Sequence, residues 1–179
     1  TNTFDDRSER FISSLNKGII NMQTLIDELL DLARIESGIQ LEMEEVDLAS
    51  ILHECVDANM QKALEKSMTV LSDIPENFPI VRGDSLRLSQ IFNNLIGNAI
   101  KYTPHEGEVR VYTEKQGKDV RISIQDNGLG ISPEDKAQIF DRFYRVRRPE
   151  TDSIEGTGLG LAIVKSLVEA HQGEIALVS

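Results

Sequence analysis

The sequence predicts an α+β fold, a two-layer α/β sandwich preceded by one long helix, and three observations predict it. The first 38 residues carry a heptad repeat of apolar residues that ends on Ser37-Gly38. Beyond residue 47, stretches of helical period mix with stretches of period two. Two of the latter flank a Gln-Gly-Lys turn, as in an antiparallel hairpin. That order suits one sheet covered by one helical layer better than a doubly wound parallel sheet. Charge and glycine divide the chain at the same place. Residues 1–48 hold eleven acids and four bases (−7), the remainder hold nineteen and fifteen (−4), and ten of the twelve glycines follow residue 48.

The N-terminal helix is expected from Arg7 to about Glu36. Ile12, Leu15, Ile19, Met22, Ile26, Leu29 and Ala33 are spaced 3-4-3-4-3-4, and Leu25, Leu30 and Leu32 widen the stripe. At ~1.5 Å per residue this helix is about 45 Å long. Its apolar face requires another helix, in this chain or a second copy, or else the core of a larger domain. Residues 39–47 read as a short acidic linker. Asp47 or Ser50 then caps a helix through about Glu65, with Ile51, Leu52, Cys55, Val56 and Met60 apolar. Met68–Ser72 reads as a strand, Pro75 and Pro79 bound a loop, and Ile80-Val81 is a short extended piece. From Asp84 a helix runs to about Tyr102, with Leu88, Ile91, Phe92, Leu95, Ala99 and Tyr102 on one side and Pro104 closing it. Glu108–Glu114 and Asp119–Gln125 alternate as the hairpin strands. A short helix after Ser132-Pro133, a helix from about Gly158 to His171 and a strand Glu174–Val178 complete the order.

Composition removes several function classes. At 40% hydrophobic and 27% charged residues, the chain is not disordered throughout. A net charge of −11 is the wrong sign for a nucleic-acid binder working through phosphate contacts. Cys55 is the single cysteine, which excludes an intrachain disulfide and any multi-cysteine metal site. No apolar run approaches a bilayer span. The expectation is therefore a cytoplasmic segment without membrane contact of its own, whatever anchors its parent.

Four stretches carry chemistry. Asp126-Asn127-Gly128-Leu129-Gly130 follows a strand, and Gly156-Thr157-Gly158-Leu159-Gly160 opens a helix. Glycines at a helix start admit a ligand close to the backbone, and the free N–H groups there favour an anion. Neither cluster is a P-loop or a dinucleotide fingerprint, and each alone also fits a tight turn. On the helix from Asp84, Asn94 and Asn98 are four apart and share a face, as amide ligands of a hard cation such as Mg²⁺ would, with Lys101 following as a phosphate partner. A solvated polar face fits the same residues. Between the glycine clusters, Ile139–Arg145 is followed by Arg147 and Arg148. Four arginines in seven residues suit polyphosphate or a basic surface loop, with Phe140 and Phe143 as its core anchors.

Together these segments resemble the sensor histidine kinases of bacterial two-component systems, with their Bergerat-type ATP-binding domain. Asn93–Pro104 looks like that family's N box, Asp126–Gly130 its first glycine box, Ile139–Arg145 its F box and Gly156–Gly160 its second glycine box. The four occur in order, and the resemblance covers the chain from about Arg10. Asp27–Gly38 looks like the end of the second helix of the dimerisation and histidine-phosphotransfer hairpin. The resemblance implies residues 1–38 as that helix, 39–47 as linker and 48–179 as the ATP-binding catalytic domain. The first hairpin helix and a final strand are then expected outside the sequence.

The resemblance also implies roles. Asp126 would accept the adenine amino proton, and Gly128 and Gly130 make room for the nucleotide. Asn98, with Asn94, would hold Mg²⁺ across the phosphates of ATP, Lys101 would contact phosphate, and Tyr102 would lie near ribose or adenine. Arg145 and Arg142 would reach toward the γ-phosphate. Gly156, Thr157, Gly158, Leu159 and Gly160 would supply backbone donors at the end of a mobile lid, residues 146–155. In the hydrolysing relatives of gyrase, mismatch-repair and chaperone type, the position of Asn94 carries a water-activating Glu. Asn is a poor base, so the implied acceptor is a histidine rather than water. His53, His105 and His171 all lack the family's acceptor setting and read as surface or turn residues. The implied partners are a response-regulator receiver domain and a second copy through the helical hairpin. The rival readings are an ATPase or conformational clamp of the wider superfamily, and a dimerisation module with a vestigial nucleotide pocket.

Overall fold

The computed structural model describes residues 3–38, 40–151, 154 and 156–179. The chain forms two compact units, Thr1–Gly38 and Ile39–Ser179. Helix α1 (Thr3–Glu36) makes up the first. It ends where the sequence supplies a stop: Ser37 N–H donates to Ala33 O, and Gly38 turns the chain at φ +86°. Ile12, Leu15, Ile19, Met22, Ile26 and Leu29 are all exposed along it, so the heptad face is uncovered in a single copy.

In the second unit, β1 (Glu44–Asp47) pairs antiparallel with β3 (Ile80–Gly83), Val46 opposite Val81. Of the stretch 39–47, read from sequence as an acidic linker, the last four residues are this strand; Ile39 lies outside the described residues. Helix α2 (Leu48–Glu65) is capped by Asp47, whose Oδ1 accepts from Ala49 N–H (3.0 Å) and Ser50 N–H (3.2 Å). The main sheet has the order β2 (Thr69–Asp73), β4 (Glu108–Gln116), β5 (Asp119–Asp126), with β2 parallel to β4 and β5 antiparallel to it. The hairpin register runs from Gln116 opposite Asp119 to Val109 opposite Asp126.

Helix α3 (Ser85–Tyr102) begins at the N-cap Asp84 and packs against α2, the sheet strands β4 and β5, and α5 (Gly160–Ala170). A short α4 (Pro133–Lys136) is capped by Ser132. Leu52, Ile96, Leu159 and Leu167 from the helical layer and Val109 and Val111 from the sheet are fully buried, which places the core between the two layers. Cys55 belongs to this core. Burial pushes its thiol up to about 11, leaving an inert side chain rather than a nucleophile.

Two expectations are corrected. Among the described residues none pairs with Glu174–Val178, so that stretch is not a strand, although its alternation is right; a strand exists through its ladder. Phe143 is exposed rather than an anchor, because its φ of +61° turns the chain outward, and Ile139 is the residue buried in that segment. Of the lid expected over 146–155, positions 152, 153 and 155 lie outside the described residues.

Candidate functional site

Helix α3 presents Asn94, Asn98 and Lys101 along one face, as the spacing requires. Asn94 Nδ2 donates to Gln90 O (3.1 Å), which turns its Oδ1 away from the helix backbone. That oxygen meets the second glycine cluster: a Cβ built on Gly160 would lie 2.7 Å from Asn94 Oδ1. One on Gly156 would lie 2.7 Å from Lys101 Nζ. Real Cβ atoms do not approach that closely, so a side chain at either position would displace the end of Lys101 or Asn94. Asn98, between them, is half-buried. Lys101 Nζ also sits 5.2 Å from the centre of the Tyr102 ring.

The same cluster is joined to the segment around Phe143. Gly158 (φ +77°) accepts from Phe143 N–H (2.9 Å), and a Cβ on it would come within 2.7 Å of the Phe143 carbonyl carbon. Leu159 is fully buried and anchors the start of α5, while Thr157 Oγ1 accepts from Leu159 N–H (3.2 Å). The N-cap residue Leu159 makes no side-chain cap hydrogen bond, and Gly160, the first residue of α5, lies beside Asn94 at the positive end of the helix dipole.

The first glycine cluster meets the other end of α3. Asp126 ends β5, and its Oδ1 accepts from Gly128 N–H (2.9 Å), folding the chain into a tight turn with the carboxylate exposed. Leu129 N–H donates to Tyr102 O (3.3 Å), and Asn127 Oδ1 accepts from Glu108 N–H (2.8 Å). Gly130 takes φ +66°. Thus α3 carries the second glycine cluster along one face and the first at its C-terminal end, with Asp126 and Tyr102 at that end.

The arginines do not converge on one point. Arg145 donates to the Ile154 carbonyl, and Arg142 and Arg147 are exposed. Arg148 pairs with Asp135 at 2.9 Å. Asp135 also accepts from Tyr144 Oη (2.7 Å) and Ser132 Oγ (2.8 Å), and these hydrogen bonds, first among them that from Tyr144, hold its carboxyl below the usual range. The same contact raises the Tyr144 phenol. Thr151 is buried and ties residues 146–151 into a turn through Val146 O (2.8 Å) and Arg148 O (3.0 Å). An open cavity of about 400 Å³ is bounded by Asp135, Phe143, Tyr144, Arg145 and Arg147.

Sequence reasoning did not find this Asp135 node, although Ser132-Pro133 marked the cap that places it. Nor did it find Lys66, whose Nζ donates to Ile100 O, Lys101 O and Thr103 O at 2.8–2.9 Å. Ordinary surface residues in sequence, both become ties only in three dimensions. By sequence His171 reads as a surface or turn residue. In the structure its Nε2 accepts from Asp84 N–H (3.1 Å) and Nδ1 lies 2.8 Å from Leu167 O, an arrangement that assigns the proton to Nδ1. At the next residue, where the resembled family has a glycine, Gln172 takes φ +60°.

A sheet covered by helices, with one helix facing two glycine clusters, is the architecture of a nucleotide-binding α+β domain. The family described as histidine kinase-, DNA gyrase B- and HSP90-like ATPase matches residues 83–179, and the chain belongs to it. Drug sensory protein A of a Synechocystis species is 35% identical over 181 residues, covering 96% of this chain and 27% of that protein. The sensor-like histidine kinase SenX3 of Mycolicibacterium smegmatis is 32% identical, covering 97% of this chain and 45% of SenX3. The crystal structure of full-length ShkA in complex with AMPPNP superposes with a TM-score of 0.76 at 29% identity, covering 90% of this chain and 34% of ShkA. The chain thus spans less than half the length of these curated relatives. No helix among the described residues is long and apolar enough to cross a membrane.

Proposed function

We propose that this chain is the ATP-binding catalytic part of a sensor histidine kinase joined to the second helix of the dimerisation hairpin. It works in the cytoplasm and transfers the γ-phosphate of ATP to a histidine outside these 179 residues. The observation that carries the proposal is the apposition of Asn94 and Lys101 to Gly160 and Gly156. It sets amide oxygen, ammonium and an uncapped helix N-terminus around one place, the inventory that a polyphosphate needs. The glycines add no side chain of their own to that place, and the AMPPNP carried by ShkA supports the same occupant.

In this reading Asp126 accepts from the adenine amino group and Tyr102 flanks the base or ribose. Gly128 and Gly130 admit the nucleotide. Lys101 and the N–H groups of Gly156–Gly160 bind phosphate, and Arg142 and Arg145 reach the γ-phosphate only by moving, Arg145 by leaving the Ile154 carbonyl. Asn94 and Asn98 would hold Mg²⁺ through their amide oxygens, and the ion would supply charge neutralisation for phosphate. Asn94 is a weak base, which favours transfer to a histidine over hydrolysis. The uncovered heptad face of α1 supports a second copy as its partner, and a response-regulator receiver domain would take the phosphate onward.

Calorimetric titration with MgATP and MgGTP tests the binding step. ATP is expected to bind and GTP to bind far more weakly. Asp126→Asn should cost ~1.5–3 kcal/mol of ATP affinity, the value of a hydrogen bond to a charged group. Radiolabelled ATP with a separately supplied histidine hairpin should label the hairpin. An Asp126→Asn protein with unchanged ATP affinity sinks the adenine assignment, and steady hydrolysis unaffected by Asn94→Ala, without hairpin labelling, sinks the kinase reading.

A further inference from the structure

We propose that Thr103 is a positioning residue for Asp126, donating its hydroxyl to that carboxylate when a nucleobase is bound; this rests on the ATP-binding reading above. Thr103 closes α3 and is only 1% exposed, yet its Oγ1 has no hydrogen-bond partner among the described residues. Buried hydroxyls are ordinarily paired, so this one has a hydrogen bond left to give. Its direction is set by packing. The methyl group faces Gly107, where a Cβ would come within 2.1 Å of Thr103 Cγ2, and the hydroxyl faces Gly128.

Three oxygens converge beside the Gly128 α-carbon. A Cβ there would lie 2.7 Å from Asp126 Oδ1, 2.7 Å from Tyr102 O and 3.0 Å from Thr103 Oγ1. The carboxylate and the carbonyl can only accept; Thr103 alone carries a proton to give. Asp126 Oδ1 already takes the Gly128 N–H and has capacity for a second bond. Donation from Thr103 to Oδ1 fastens the carboxylate through that oxygen and leaves Oδ2 to accept from an exocyclic amino group. Because the bond is absent in the free protein, its contribution falls on affinity and not on stability.

The full chain is compared with Thr103→Val, Thr103→Ser and, as a control, Thr113→Val, which removes the other buried unpaired hydroxyl, on β4. Each is melted without nucleotide and titrated with MgATP and with the triphosphate of purine riboside, which lacks the 6-amino group, the latter by competition. Thr103→Val is expected to melt no lower than the parent and to bind ATP about tenfold more weakly, or ~1.4 kcal/mol. Its affinity for the analogue should stay within about twofold. Thr103→Ser and Thr113→Val should keep the ATP affinity within about twofold. Unchanged ATP binding in Thr103→Val overturns the proposal, as does an equal loss for the analogue or a serine variant that falls with the valine one. A lower melting temperature of the free Thr103→Val protein also overturns it, since the hydroxyl would then have a partner before binding. Failure of the parent chain to bind ATP is a separate result and refutes the nucleotide reading itself.

Discussion

Replacing Lys66 with Met keeps the aliphatic stem and removes three donors at once. The ammonium, one residue past α2, donates to Ile100 O (2.8 Å), Lys101 O (2.9 Å) and Thr103 O (2.8 Å), the last carbonyls of α3. These are groups a helix cannot satisfy internally, and a cation there also meets the negative end of the dipole. A hydrogen bond from a charged donor is worth ~1.5–3 kcal/mol. Three bonds to one ammonium do not add, and water replaces part of the loss at a half-buried side chain. Burial lowers the Lys66 pKa, a cost of charge that the methionine does not carry. A net loss of about 2 kcal/mol follows, or roughly 4–8 °C in Tm for a unit of this size. Urea unfolding followed by circular dichroism reads it directly. A loss below ~0.5 kcal/mol with an unchanged slope would mean that water serves these carbonyls equally well and that Lys66 does not hold the end of α3.

The remaining predictions concern the glycine cradle and acid stability. Gly158→Ala sets an L side chain at φ +77° with its Cβ 2.7 Å from the Phe143 carbonyl carbon and 2.9 Å from Tyr144 O, both backbone. It should lose at least ~1–2 kcal/mol of stability and most of its nucleotide affinity, read by thermal melts and titration. Gly18→Ala in α1, where nothing lies within 4 Å of the new Cβ, should instead stabilise that helix by ~0.5–1 kcal/mol, read by circular dichroism. Asp135 has a lowered pKa in the folded chain, so its contribution is present above the unfolded value near ~3.9 and is lost as pH falls through the folded value. Asp135→Asn should therefore be less stable at pH 7 and lose less on going to pH 3; parallel pH–stability curves would exclude the node as a source of acid sensitivity.

What the sequence shows best is set by short-range physics. Asp47 and Asp84 announce their helices because a cap acts within three residues, and both accept from the N–H groups the rule names. The hairpin is legible because its turn and alternation are local, and α5 starts at Gly160, two residues later than expected, because Gly158 is spent on the approach to Phe143. The four motifs are legible as residues, whereas their meeting on α3 is tertiary. β1 is not legible, since Glu44-Glu45-Val46-Asp47 has one apolar residue and becomes a strand only through a distant partner, with Val46 opposite Val81. Glu174–Val178 errs the other way, with the right alternation and no ladder. The exposure of Phe143 follows from its backbone conformation, which composition does not reveal.

Helix α3 explains why motifs spread over some seventy residues meet in one place. Its N-cap, Asp84, accepts from Arg87 N–H and Glu42 N–H, while its own N–H donates to His171 at the end of α5. Midway, buried Asn59 of α2 donates to Asn93 Oδ1 (2.9 Å). At the C-terminal end Lys66 gathers three carbonyls, and Glu106 N–H returns to Lys66 O (3.0 Å) before the chain reaches Gly107 and β4. None of these ties touches the glycine clusters, yet each fixes where α3 lies against them. A Cβ on Gly156 or Gly160 would lie 2.7 Å from Lys101 Nζ or Asn94 Oδ1, so small shifts of α3 change this fit. Phosphoryl transfer depends mainly on such positioning, and a misplacement of about 1 Å far from the chemistry costs ~10²-fold. On the ATP-binding reading, a change at Lys66, Asn59 or His171 would be read at the nucleotide through the seat of α3, since these ties hold both ends of the helix that the glycine clusters face.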